Sequence, residues 1–167
     1  MIFTEIVGVA EIGEVMLKSY LEYHTDPICV YCSEADRDYL SKSINSDVVK
    51  YNIVNEDIIS AYQQGHLGTA KIYGEILSDR FVEDVIHIDS DVVFKKESIS
   101  LVKTKLNEGY ALVGPMRRYK ENPNNRPDCE YRENVVQTFL FGFKKSYVTA
   151  RNKHLFTSMV VGNSIDG

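Results

Sequence analysis

The sequence has no uninterrupted apolar run approaching the roughly 18 residues of a membrane-spanning helix, so no membrane span is expected. Nor does it have an excess of basic residues: 19 Lys and Arg stand against 24 Asp and Glu, a net charge of −5. Non-specific nucleic-acid binding needs a basic surface, and a mildly acidic chain is a poor candidate for it. Cysteine is scarce, with only Cys29, Cys32 and Cys129. The segment Met1-Ile2-Phe3-Thr4-Glu5 lacks a basic stretch and a long apolar core, so no signal peptide is read there. An odd cysteine count without a secretion signal fits reduced thiols and a cytoplasmic location. Cys29-Val30-Tyr31-Cys32 has CxxC spacing, yet no second Cys or His pair completes a zinc site. A redox pair would open a helix, whereas this one lies in a strand-like run. These thiols are expected to be small core or half-buried side chains. No GxGxxG follows the first strand-like segment, which disfavours a dinucleotide oxidoreductase.

What is present is ordinary for a folded soluble chain: 167 residues, 44% apolar and 26% charged. That length suits a single domain over residues 1–167, able to bury roughly 68–70% of its unfolded surface. Phe3 to Val9 reads as a first strand, and Glu11 to His24 as an amphipathic helix through Ile12, Val15, Met16, Tyr20 and Tyr23. Asp26-Pro27 ends that helix, because the residue before proline disfavours the α region. Ile28 to Cys32 is a second strand, Glu34 to Ser43 a helix with a thin apolar stripe, and Val48 to Val54 a third strand. A mixed segment punctuated by Gly65 and Gly68 leads to a helix from Thr69 through Ile72, Tyr73, Ile76, Leu77 and Phe81. Val85-Ile86-His87-Ile88 is a continuous apolar run of the kind found in strands buried on both faces. A helix through Ile99, Val102 and Leu106 follows and ends near Gly109; Tyr110 to Val113 is the next strand. Pro115 to Asn134 is a long polar loop, Gln137 to Phe143 a strand, and Ser158 to Val161 a short final strand. Alternating strands and helices predict an α/β/α sandwich around a mostly parallel sheet.

The chemistry gathers at Asp89-Ser90-Asp91, which directly follows the fourth strand. Ligands of parallel α/β sheets bind at the carboxyl ends of strands. On an extended backbone, residues two apart share a face, which would set the two carboxylates together. Such a pair repels itself unless a cation or a shared proton relieves it. Oxygen-only ligands suit Mg²⁺ or Mn²⁺, which keep positions free for substrate phosphates. A divalent ion would let a diphosphate sit beside the aspartates and stabilise charge on a departing phosphate oxygen. An Asp-x-Asp triplet alone is common and also caps turns; its place after an apolar strand gives it weight.

Gly68-Thr69-Ala70-Lys71-Ile72-Tyr73-Gly74-Glu75-Ile76-Leu77, followed by Val85-Ile86-His87-Ile88-Asp89-Ser90-Asp91-Val92-Val93-Phe94, resembles the core of nucleotide-sugar glycosyltransferases of the GT-A fold. The resemblance implies a metal-dependent transfer of a sugar from a UDP- or GDP-sugar, UDP foremost, to an acceptor hydroxyl on a glycan or other molecule. It implies that Asp91 ligates Mn²⁺ or Mg²⁺. Asp89 would bind the metal directly or through water, or contact the donor together with Ser90. Lys71 matches the basic residue that approaches the donor diphosphate or sugar, although it is also placed to pair with Glu75 on a solvated face. Gly8, Val9 and Ala10 match the loop that cradles the nucleobase and ribose, where small residues allow close backbone approach.

The catalytic base is less legible. Asp166 loosely matches the late carboxylate that accepts the acceptor proton, with Asp128, Glu130 and Glu133 as competitors. His154 is the only late histidine for a third metal ligand. His66 and the basic Arg117, Arg118 and Lys120 have surface readings beside their functional ones. The chain is expected to be a minimal or C-terminally truncated version of the fold. The alternatives are a nucleotide-sugar-binding module and a sugar-phosphate nucleotidyltransferase. Against the latter, Gly8-Val9-Ala10-Glu11-Ile12-Gly13 carries no basic residue.

Overall fold

The computed structural model describes residues 1–62, 72, 83–117, 135–136 and 140–147. Three parallel strands open the chain: β1 (Ile2–Ile6), β2 (Ile28–Cys32) and β3 (Val49–Ile53). They are joined through α1 (Ala10–Tyr23) and α2 (Glu34–Leu40), and α3 (Glu56–Tyr62) follows β3. Next come β4 (Val85–Ile88), α4 (Ile99–Asn107), β5 (Leu112–Val113), β6 (Met116–Arg117), β7 (Val135–Val136) and β8 (Leu140–Phe143). One sheet runs in the order β3-β2-β1-β4-β8-β5, and β6 pairs with β7 in a separate two-stranded ladder. β1 to β4 are parallel neighbours in that order, while β8 runs antiparallel to both β4 and β5. This is the expected sandwich with a mostly parallel sheet.

Side-chain alternation divides the core into two layers. Ile2, Ile6, Ile28, Val30, Cys32, Ile86, Ile88 and Leu140 face one way, against Met16, Leu17 and Tyr20 of α1, Leu40 of α2, and Ile99, Val102 and Leu106 of α4. Phe3, Val85, Phe141 and Phe143 face the other way, with Ile58 of α3 and Ile72. Cys32 belongs to the first layer and Cys29 packs on the second. Two thiols on opposite faces of β2 cannot share a metal or a disulfide. Burial also pushes the Cys32 thiol up to about 12, which leaves it unreactive.

Several boundaries differ from the sequence expectations. β1 stops at Ile6 rather than Val9, because the chain turns out through Gly8 at φ 72°. α2 ends at Leu40, and β3 is one residue shorter at each end than Val48 to Val54. α3 was not expected. Its start carries a signal nonetheless, since the Asn55 Oδ1 accepts the Ile58 N–H at 3.0 Å and Glu56 and Asp57 fill the first turn. The expected loop from Pro115 contains β6, which pairs with β7. Ile72 is helical and fully buried, as its place in the Thr69–Phe81 helix predicts; the rest of that helix and the Ser158–Val161 strand lie outside the described residues. Gly109 follows α4 at φ 104°, a left-handed C-terminal stop. In α1, a Cβ at Gly13 would fall 2.5 Å from Ile6 Cδ1, so the missing side chain is what lets the helix lie against β1. No helix among the described residues is long and apolar enough to cross a membrane.

Candidate functional site

In the sheet order, the crossovers from β1 lead through β2 to β3, and β4 lies on the other side of β1. The strand order therefore reverses between β1 and β4, and their carboxyl ends form the crevice where α/β sheets bind ligands. Parallel pairing of Ile2 with Ile86 and Phe3 with His87 makes β4 end two residues short of the end of β1 at Ile6.

Asp89, Ser90 and Asp91 leave β4 at that rim. The strand ends at Ile88, and the Val92 N–H donates to the Asp89 carbonyl at 3.3 Å, closing a turn over residues 89–92. The extended-backbone argument for a shared face therefore does not apply; a turn, not a strand, presents the two carboxylates. Asp89 and Ser90 are half-buried and Asp91 is exposed. Among the described residues no third side chain joins Asp89 and Asp91 in a three-ligand cluster. Two carboxylates still suit Mg²⁺ or Mn²⁺, which are commonly held by one or two carboxylates together with substrate phosphates.

Sequence reasoning missed the support beneath Asp89. His87 Nε2 lies 3.0 Å from Glu5 Oε2, and its Nδ1 lies 3.6 Å from Asp89 Oδ1. Both Glu5 and His87 are buried in the sheet face otherwise formed by Phe3, Val85, Phe141 and Phe143.

Gly8, Val9 and Ala10 line a groove of about 440 Å³ at the ends of β1 and β2. Its other walls are Glu11 and Ile12 of α1, and Ala35, Asp36 and Tyr39 of α2. The groove does not include Asp89 or Asp91, so the loop and the carboxylates are neighbouring features of one rim and not a single cavity. Asp36 went unnoticed in the sequence. Its Oδ2 accepts the Gly8 N–H at 3.0 Å and the Ser33 hydroxyl, while the Ser33 Oγ accepts the Asp36 N–H at 3.1 Å. One buried carboxylate thus caps α2 and holds the loop after β1. The Glu14 carboxylate beside Tyr39 holds its phenol above the ordinary value, with burial adding to the effect.

The segment after the carboxylates is tied to α1. The Phe94 N–H donates to Ser19 Oγ at 3.0 Å, and the Phe94 ring meets Tyr20 and His24 at centroid distances of 5.7 and 4.7 Å. His24 is 4% exposed. Burial lowers its pKa below the ordinary 6.5, against the opposing pull of Glu97 at 3.2 Å. Between the folded and unfolded values the unfolded chain binds more protons, so stability rises with pH there. The contribution is present above 6.5 and is lost as pH falls through the depressed folded value. Urea unfolding between about pH 5 and 7 is expected to show falling stability toward acid, and His24→Leu to flatten that slope. An unchanged slope in the variant would remove His24 as the cause.

Lys71, Asp166, Asp128, Glu130, Glu133, His66, His154, Arg118 and Lys120 lie outside the described residues, and Arg117 is described only as part of β6.

No family model matches the chain, and no curated protein matches it in sequence. Solved structures do match in fold. A galactosyltransferase, LgtC, in complex with donor and acceptor sugar analogues superposes with a TM-score of 0.67 at 15% identity, over 99% of this chain and 65% of that one. Its active-site mutant Q189E gives the same score and identity over 64% of its length. The apo form of mouse xyloside xylosyltransferase 1 superposes with a TM-score of 0.55 at 14% identity, over 95% of this chain and 71% of that one. The chain thus spans less than two thirds of the length of the galactosyltransferase. Its architecture is the GT-A fold, as the resemblance implied.

Proposed function

We propose that this chain transfers a sugar from a nucleoside-diphosphate sugar, a UDP-sugar foremost, to an acceptor hydroxyl, with Asp89 and Asp91 holding Mn²⁺ or Mg²⁺. The observation that carries the reading is the pair of carboxylates at the carboxyl end of β4, beside the point of strand-order reversal, on a fold shared with a galactosyltransferase and a xylosyltransferase. The bound ion would neutralise the donor diphosphate and stabilise the charge that develops as the sugar departs. Asp89 and Asp91 fix the position of that ion at the rim. The loop offers backbone at Gly8 and Ala10 to the base and ribose, and Asp36 holds the Gly8 amide in place. Ser90 sits between the ligands as a donor contact. Lys71 as a diphosphate contact and Asp166 as the base that takes the acceptor proton are carried on the sequence resemblance.

Thermal unfolding with UDP-glucose, UDP-galactose or GDP-mannose, without metal and with Mn²⁺ or Mg²⁺, tests the reading. A ligand at 100 times its Kd stabilises the folded state by about 2.7 kcal/mol. Metal-dependent stabilisation by one donor class is expected, together with slow metal-dependent hydrolysis of that donor. Stabilisation without any turnover would identify a binding module. A flat response to every donor, with either metal, would sink the proposal.

A further inference from the structure

We infer that His24 latches the segment after the carboxylate turn onto α1, and that mild acid releases this segment while the sheet stays folded. The latch stands apart from the proposed transfer; its bearing on the site rests on that reading, because Phe94 follows Asp91 by three residues.

Three observations carry it. First, the connection from β4 to α4 has one anchor. Residues 89–98 form no helix or strand, and between Ile88 and Ile99 the single buried residue is Phe94. Its N–H donates to Ser19 Oγ at 3.0 Å, and its ring packs on Tyr20 and His24. Ser19 and Tyr20 lie near the end of α1, and His24 is its C-cap. Glu97 Oε1, 3.2 Å from His24 Nδ1, meets the same spot. A stretch held by so few buried contacts opens locally, at lower cost than the whole fold.

Second, an imidazole is a poor filler for this cage. Neither ring nitrogen of His24 has a hydrogen-bond partner among the described residues, although the ring is buried. The nearby Glu97 carboxylate instead accepts the Ser100 N–H at 2.8 Å and the Ser100 hydroxyl. A purely apolar ring would fill the space between Tyr20 and Phe94 without two unmet nitrogens. What the imidazole adds is a charge that changes within the range from pH 5 to 8.

Third, the sign of the response follows from the surroundings. The groups that face the ring are Glu97 of the segment, Asp26 of the loop after α1, Lys103 of α4, and the Tyr20 phenol, which burial keeps neutral. Glu97 and Asp26 favour the imidazolium; Lys103, itself paired with Asp26, opposes it. Burial is the largest influence and holds the pKa below the ordinary 6.5. A ring released to water regains 6.5, so the open state binds the proton more tightly than the closed one. Linkage then favours opening by at most about tenfold at pH 5.5, and by almost nothing above pH 7. Opening frees Phe94, and the turn that carries Asp89 and Asp91 loses its tether to α1.

The test is amide exchange followed by NMR on the chain without ligand, corrected for the pH dependence of the exchange chemistry itself. The probe is the Phe94 N–H, with the amides of β1 as the reference for opening of the whole fold. The Phe94 amide is expected to be less protected than those of β1, and to lose protection several-fold, at most about tenfold, between pH 7.5 and 5.5. His24→Phe keeps a ring in the cage and removes the titration, and is expected to show no such loss; His24→Gln is a second neutral variant of smaller volume. An equal loss in the parent and in either folded neutral variant overturns the role of His24. A Phe94 amide as protected as β1 at both pH values shows that the segment opens only with the whole fold, and overturns the latch. A parent whose Phe94 protection does not change with pH overturns it as well. None of these results depends on whether the chain binds a metal or a donor.

Discussion

Asp91→Ala is expected to lower the proposed Mn²⁺-dependent sugar transfer by about 10²–10⁴-fold while leaving stability almost untouched. Asp91 is exposed within the turn that leaves β4. Exposed substitutions away from caps and buried networks usually stay within about 0.5 kcal/mol. If Asp91 is one of two protein carboxylates on the cation, its removal takes away an ion that contributes several kcal/mol of transition-state stabilisation. At about 1.4 kcal/mol per factor of ten, the rate is expected to fall by about 10²–10⁴-fold. The measurement is initial-rate transfer or donor hydrolysis beside a thermal unfolding curve on the same preparation. A variant that keeps its Mn²⁺-dependent rate removes Asp91 from the metal site. A variant that loses rate and stability together would show a structural role that an exposed turn residue should not have.

The parts of the fold that were legible are those set by local pattern. Val85 to Ile88 reads as a fully buried strand because all four residues are apolar or able to bury, and all four are buried. Ile28 to Cys32 was placed to the residue by the Asp26-Pro27 break before it and the helix that follows. The rim position of Asp89 and Asp91 followed from the strand they terminate. Their relative geometry did not, since the extended backbone gives way to a turn at Asp89. The polar network behind the site was illegible for a different reason. Glu5 and His87 are 82 residues apart in sequence and meet only through the β1–β4 register, which no local pattern specifies. Asp36 looked like one acidic residue on a weak helix; its role depends on the loop after β1 returning to the start of α2. Single-sequence patterns report on a residue's own element, and these contacts are made between elements.

The largest effect on stability is expected at that carboxylate. Asp36 is 6% exposed, and its Oδ2 serves both the Gly8 N–H and the Ser33 hydroxyl. Gly8 stands at φ 72°, a left-handed conformation that the loop keeps while its amide is held by Asp36. Asp36→Ala removes half of the capping box, worth about 1 kcal/mol, and a charged hydrogen bond to the loop, worth about 1.5–3 kcal/mol. A loss of about 2–4 kcal/mol in urea unfolding is expected, a large part of the 5–15 kcal/mol typical of a folded domain. Ser33→Ala separates the two contributions. It abolishes the reciprocal cap and leaves the Gly8 N–H paired with Asp36, so it is expected to cost only about 1 kcal/mol. Because the loop is where the donor base and ribose are proposed to lie, Asp36→Ala should also weaken donor binding more than Ser33→Ala does. Equal costs for the two variants would mean that the bond to Gly8 contributes nothing. Unequal stability with equal donor affinity would keep the tether but detach this loop from the donor.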